Sequence, residues 1–383
     1  MGKVNGFFTE FWCCEEEQTD TVCVTVALKG GFIKSIYLCK DTEEIVEINS
    51  AAGSVFMYAL NNRIKIRNIE GIRCTTGKNG VYITITAEKE NIAECLESVM
   101  RIVFEKEVTE VEFEEAKKQT IDKLRQNFKN EAARSWYYMF EFTEMGKGYT
   151  YNRLAKSLET ITYEEFHTYT EALVNPMNSI VIVNGTLEQT EVTSICCVLK
   201  SVRKAGKEYV DYGYVLSEDG ILDCHLLKKC NSIGALYVVF PDYDVTPTEK
   251  MFLLMYINEI MFRNHGVVSV DTFDASITYF QEPIKKYELE MDHIWTKENV
   301  ERAKERLLQY FENLIRKPTE FGVYIGEMLF SGVDIYKLIR DIQICDFDIV
   351  YRAYKNADIK VSSAAIINEG GRKDGRRTGI KTN

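Results

Sequence analysis

The chain repeats itself. Residues 113, 116, 120, 121, 124 and 128 mark one face of an amphipathic stretch from Phe113 to Phe128, and the same spacing returns 187 positions later as Val300, Ala303, Leu307, Leu308, Phe311 and Ile315. Both stretches keep a helical spacing, and both carry Ala-Lys at the same place, Ala116-Lys117 and Ala303-Lys304. Long amphipathic helices look alike, so a second match carries more weight. Ile161-Thr-Tyr-Glu-Glu-Phe166, followed by Ala172, Asn175 and the strand-like run Ser179 to Asn184, parallels Ile342-Gln-Ile-Cys-Asp-Phe347, followed by Ala353, Asn356 and Val361 to Asn368. Order and spacing persist at an offset of 181 to 184. A duplicated unit of about 180 residues is long enough to close its own core, so the fold must be one that can be built twice. The predicted layout is an N-terminal module over 1–187, a linker over 188–212, a C-terminal module over 213–370 and a tail over 371–383.

Each module reads as mixed α+β. In the first, Thr21 to Leu28 and Gly80 to Thr86 are rich in β-branched residues, as strands are, while Ile45 to Leu60, Ile92 to Val103, Phe113 to Phe128 and Tyr163 to Leu173 carry helical periodicity. In the second, Ala235 to Phe240 and Ala275 to Phe280 are strand candidates. Thr246, Pro247 and Glu249 spell a capping box for a helix reaching Phe262. The expected fold is therefore two repeated modules, each an antiparallel-rich sheet covered by helices. The tail, rich in glycine and charge and almost without apolar residues, is expected to be disordered.

Composition narrows the chemistry. With 47 basic and 58 acidic residues the net charge is -11, which argues against nucleic acid as a partner. The 11 cysteines are odd in number and are expected to be free thiols of a reducing cytoplasm. No apolar run approaches a membrane span, so a soluble chain is expected. The four histidines, His167, His225, His265 and His293, lie too far apart for a helix-borne zinc pair. Cys224 and His225 are adjacent on a predicted strand, where side chains point to opposite faces, and so do not make a nucleophile and base. Gly30, Gly31, Gly77 and Gly80 mark turns rather than a phosphate loop, and no cofactor is expected.

The run Leu158-Glu-Thr-Ile-Thr-Tyr-Glu-Glu-Phe166, leading to Asn175-Pro-Met-Asn-Ser-Ile-Val-Ile-Val-Asn-Gly185, together with the duplicated α+β pattern, resembles the pitrilysin or insulinase family of zinc peptidases. The resemblance spans residues from about 20 to 370. In active members a helix carries His-x-x-Glu-His, the histidines holding zinc and the glutamate acting as general base. The resemblance places that motif on the predicted helix Ile45 to Leu60, where Ser54 and Tyr58 take the histidine positions and Met57 that of the base. A third ligand is expected on the later helix, where Lys123 stands, with Ala116 two turns earlier and Asp122 one residue away. All these positions are changed together. The resemblance thus implies a degenerate, non-catalytic subunit that holds no metal and pairs with a catalytic zinc peptidase of the same family to enclose a peptide substrate. In such subunits an arginine and a tyrosine of the second module hold the substrate backbone. Arg263, in Arg263-Asn-His-Gly-Val-Val-Ser-Val270, fits the arginine, and Tyr279 is the candidate for the tyrosine. Size and the short first module are most similar to the non-catalytic partners in subtilosin-type bacteriocin maturation, which implies leader-peptide processing. The alternatives are a structural scaffold and a peptidase with a rebuilt metal site. Main-chain pairing along the edge of Gly80 to Thr86 is the expected mode of peptide capture.

Overall fold

The computed structural model describes residues 2–12, 20–32, 35–105, 107–129, 151–213, 232–239, 245–262, 267–271, 276–281 and 294–364. The tail 371–383, Cys13 and Cys14, Trp136 to Phe142, Cys224 and His225 and Arg263 lie outside them. Contacts gather the chain into two compact units, Met1–Asn130 with Gly146–Glu218 and Asn313–Phe330, and Glu131–Met145 with Asp219–Glu312 and Ser331–Asn383.

The first unit is built on a six-stranded sheet. Its strands are β1 (Gly2–Val4), β2 (Phe7–Trp12), β3 (Thr21–Lys29), β6 (Ile72–Thr76), β7 (Gly80–Glu88) and β8 (Ser179–Asn184), ordered β1-β2-β8-β3-β7-β6. All neighbours are antiparallel except β2 and β8. The central strand β3 is buried from Val22 to Leu28, on both faces, which is why its sequence is an apolar run and not an alternation. Three shorter strands, β4 (Ile36–Cys39), β5 (Ile45–Glu47) and β9 (Tyr209–Gly213), form a separate sheet in the order β5-β4-β9.

Helices close both faces of the large sheet. The first, α1 (Ala52–Ile66), is followed by α2 (Ile92–Met100), α3 (Glu110–Lys129), α4 (Tyr151–Thr160), α5 (Tyr163–Ala172) and α6 (Gln189–Ser201). Phe56 of α1 packs on Phe166 and Tyr169 of α5, with ring centroids 6.3 and 5.8 Å apart, and Phe113 of α3 meets Phe166 at 5.1 Å. The other cover comes from far along the chain. With α7 (Pro247–Ile257) and α8 (Lys297–Ile315) lying between, α9 (Pro318–Phe330) packs on β3, β7 and β8. Gly53 of α1 faces Val81 while Gly326 of α9 faces Tyr82, and successive residues of a strand point to opposite sides, so α1 and α9 sit on opposite faces of the sheet.

Two sequence readings change at this level. Ile45 to Leu60 is not one helix: Ile45–Glu47 pairs with β4, Ala51 N donates to the Asn49 side chain in the intervening turn, and α1 starts at Ala52. The apolar residues at 45 and 48 suit a strand as well as a helix, and pairing with β4 decides. Gly80 to Thr86 also has no open edge, because β7 is paired with β3 on one side and β6 on the other. The stretch 188–212 is ordered against the first unit: it holds α6 and most of β9, and buried Asn178 accepts from Tyr209 N at 2.8 Å and donates to Lys207 O at 3.0 Å.

The second unit carries β10 (Ser232–Val239), β11 (Val267–Asp271), β12 (Ser276–Gln281) and β13 (Asp358–Ala364), ordered β11-β12-β10-β13. Every pair is antiparallel. Reversed, that order is β13-β10-β12-β11, which reproduces β8-β3-β7-β6 of the first unit in chain order and direction. The sequence repeat is thus a repeat of topology, and the expected α+β class with antiparallel-rich sheets is the one observed. The Thr246 box at the head of α7 is formed: Glu249 N donates to Thr246 Oγ1 at 3.3 Å and Thr246 N to Glu249 Oε2 at 2.9 Å. Helices α10 (Ile335–Ile344) and α11 (Phe347–Asn356) complete the unit, with Trp295 stacked on Tyr354 at 4.3 Å.

Candidate functional site

The site predicted on α1 lies on its half-buried face. Its apolar stripe, Ala52, Val55, Phe56, Ala59 and Leu60, is buried, so Ser54, Met57, Tyr58 and Asn61 stand together on the half-buried remainder. Asn61 Nδ2 donates to Met57 Sδ at 2.9 Å, and just before the helix Ser50 Oγ donates to Ser157 Oγ of α4 at 3.1 Å. Burial raises the Tyr58 pKa, so its phenol stays neutral and offers a proton donor. The face is polar, uncharged and able to hydrogen-bond.

At its C-terminal end α1 is tied to α3 by a fork. Arg63, 5% exposed, donates through Nε to Glu112 Oε1 at 2.9 Å and through Nη2 to Glu112 Oε2 at 2.8 Å. Its Nη1 reaches Ile102 O at 3.2 Å. Glu112 also accepts from Thr109 N at 2.9 Å, and these donors, Arg63 first, hold its carboxyl down at about 2. Farther along α3, Ala116 is buried, whereas Asp122 and Lys123 are exposed. Lys117 bonds Ile161 O at 2.8 Å.

The resemblance brings a zinc ion into question, and the donor set answers it. From Ala52 to Ile66 the helix reads Ala-Gly-Ser-Val-Phe-Met-Tyr-Ala-Leu-Asn-Asn-Arg-Ile-Lys-Ile, without one imidazole, carboxylate or thiol. No shift of register along α1 supplies a zinc ligand or a general base. A thioether does not take a proton from water at neutral pH, and serine or neutral tyrosine oxygens are poor zinc ligands beside imidazole. Among the described residues no three His, Cys, Asp or Glu side chains come together in a way that could hold a metal ion. The residues present do not fit zinc.

Tyr279 lies in β12, opposite Gly234 of β10 and Val267 of β11, so its backbone is central in the second sheet. Sequence reasoning missed the carboxylate of Glu327 on α9. It accepts from Asn79 N at 3.2 Å and Asn79 Nδ2 at 2.8 Å, at the turn between β6 and β7. Desolvation raises its pKa and Tyr82 stands beside it. A Cβ on Gly77 would lie 1.8 Å from Glu327 Oε1, so the glycine makes the room. Only that glycine-rich turn hinted at a close approach, and nothing in it named the partner.

No family sequence profile matches the chain, and no curated protein matches it by sequence. Solved structures do. An M16-like peptidase from Alicyclobacillus acidocaldarius matches with a TM-score of 0.66 at 10% identity, over 94% of this chain and 96% of that one. A protease from Helicobacter pylori matches at 0.62 and 13% identity, over 94% and 98%. The periplasmic protease PqqL from Escherichia coli matches at 0.57 and 12% identity, over 94% of this chain but 46% of that one. The chain therefore has the fold of the M16-like peptidases, the pitrilysin type. No described helix is long and apolar enough to cross a membrane.

Proposed function

We propose that this chain is a non-catalytic subunit that pairs with an active zinc peptidase of the same fold and forms part of a chamber for processing a peptide precursor, with bacteriocin leader removal as the candidate process in the cytoplasm. One observation carries the reading: in an M16-like fold, the helix on which the resemblance places the zinc motif has no residue able to bind zinc or accept a proton from water. The match to under half of a longer protease, over nearly all of this chain, supports a role as one half of a larger enclosure.

The surface for peptide is the outer edge of β6, which among the described residues pairs with β7 alone and beside which α1 packs. Gly71 O accepts from Thr86 N and Gly77 N donates to Gly80 O, both at 2.8 Å, so the odd positions of β6 face β7. The main-chain N–H and C=O of Ile72, Cys74 and Thr76 then point outward, the arrangement that captures an extended chain by strand addition. Met57 and Tyr58, at the positions where active enzymes of the family carry the base and a metal ligand, offer neutral contacts instead. Arg263 and Tyr279 are the candidates for holding substrate backbone from the second module.

The reading is tested by co-expression with a peptidase of the same fold and the same organism that carries an intact zinc motif. The two are expected to co-purify, with cleavage by the pair and none by this chain alone. Arg263→Ala is expected to lower turnover of the pair while assembly persists. Chelator-sensitive cleavage by this chain alone would overturn the reading.

A further inference from the structure

The chain is acidic, yet the outer edge of β6, unpaired among the described residues, is basic. Residues 61–79, which run from the last turns of α1 through β6 to the turn before β7, contain Arg63, Lys65, Arg67, Arg73 and Lys78 against Glu70 alone, in a protein of net charge -11. Arg63 is committed to Glu112. Lys65, Arg67 and Arg73 are exposed and form no ion pair among the described residues. Some exposed cations elsewhere are matched along their own helices, as in Arg101 with Glu97 and Arg302 with Glu298, while others, such as Lys123 and Arg340, form no ion pair among the described residues; what sets residues 61–79 apart is five cations against one carboxylate. Lys65 sits in the last turn of α1, where the helix dipole accounts for a cation, but Arg73 lies on a strand and has no such reason. Ile66 adds a wholly apolar side chain, 83% exposed, to the same end.

Arg73 lies opposite Thr84 of β7, and Tyr82 and Thr84 belong to the sheet face that α9 covers, opposite α1. A strand added to β6 would place one side chain directly across from Arg73 on that face, about 5 Å away, where unlike charges stabilise pairing and like charges oppose it. We propose that the β6 edge selects an extended peptide segment bearing Asp or Glu at alternate positions, drawn in by Lys65, Arg67 and Arg73. This rests on the reading of β6 as the peptide-pairing edge and adds the class of peptide. Charges on an edge strand also discourage self-association, and that role makes no demand on the charge of a bound peptide.

The experiment measures fluorescence anisotropy of the full chain with three labelled peptides of one length, carrying Glu, Ser or Lys at alternate positions, at low and at moderate salt. The expected result is at least tenfold tighter binding of the Glu peptide than of the Lys peptide, shrinking as salt rises. The exposed variant Lys65→Glu/Arg67→Glu/Arg73→Glu is expected to reverse that order while its circular dichroism stays unchanged. Ile72→Pro, which removes an outward N–H and leaves the β7 ladder intact, is expected to weaken all three peptides alike. Equal binding of the three peptides, with sensitivity to Ile72→Pro, would overturn the charge proposal and leave the edge reading standing. Binding of none would overturn both. A single-stranded oligonucleotide that bound as tightly as the Glu peptide and lost affinity in the triple variant would overturn the peptide assignment.

Discussion

Arg63 shows how one buried side chain ties two helices together. Its guanidinium spans the end of α1 and the start of α3 with two bonds to one carboxylate. Removing one member of a buried pair strands the other, so Arg63→Met is expected to lower unfolding free energy by about 3 kcal/mol, read as a shift of the urea midpoint. Glu112 adds a pH signature. Its carboxyl is depressed from 4.5 to about 2, so its stabilisation is complete above pH 4.5 and is lost as pH falls toward 2. The loss is on the order of 3 kcal/mol, and Glu112→Gln is expected to flatten that slope. Glu327 has the opposite sign. Its raised pKa favours the protonated form in the fold, so it costs stability as pH rises above 4.5, and Glu327→Gln is expected to gain stability at neutral pH relative to pH 4. Parallel denaturation series on the two variants separate the two contributions.

At the scale of elements, what the sequence revealed depended on how local the cause was. The head of α7 was legible because Thr246, Pro247 and Glu249 form its box within four residues. The start of α1 was misplaced because Ile45, Val46 and Ile48 suit either period, and only pairing with β4 makes the first two a strand. The candidate face of α1 was legible as residue identities, since Ser54, Met57 and Tyr58 need no tertiary information. The placement of α9 was not, because its partners on β3 and β7 lie some 240 to 300 residues earlier. Two glycines one turn apart let that helix touch the sheet: a Cβ on Gly322 would lie 2.0 Å from Thr25 Oγ1, and one on Gly326 would lie 2.8 Å from Tyr82 Cε1. Gly322→Val is therefore expected to destabilise by about 3 kcal/mol through overpacking, whereas a valine at exposed Glu320 is expected to change little. Thermal denaturation of the two variants checks the contrast.

For the whole molecule, the sequence repeat became two sheets of one topology, but the repeat boundary is not where the first core closes. That core is completed by residues 313–330. A chain ending at 312 is expected to leave the α9 face of the first sheet bare, to bind a hydrophobic dye and to unfold without a sharp transition, and a synthetic peptide of residues 313–330 is expected to reverse part of this. A fold shared with M16-like peptidases, combined with a helix that has no imidazole, carboxylate or thiol, is the basis for proposing the chain as the silent half of a peptidase. Elemental analysis of the full chain, purified after growth and dialysis in excess zinc and assayed alone against peptides, tests this most directly. The account predicts no stoichiometric zinc and no cleavage; one zinc per chain with chelator-sensitive cleavage would contradict it.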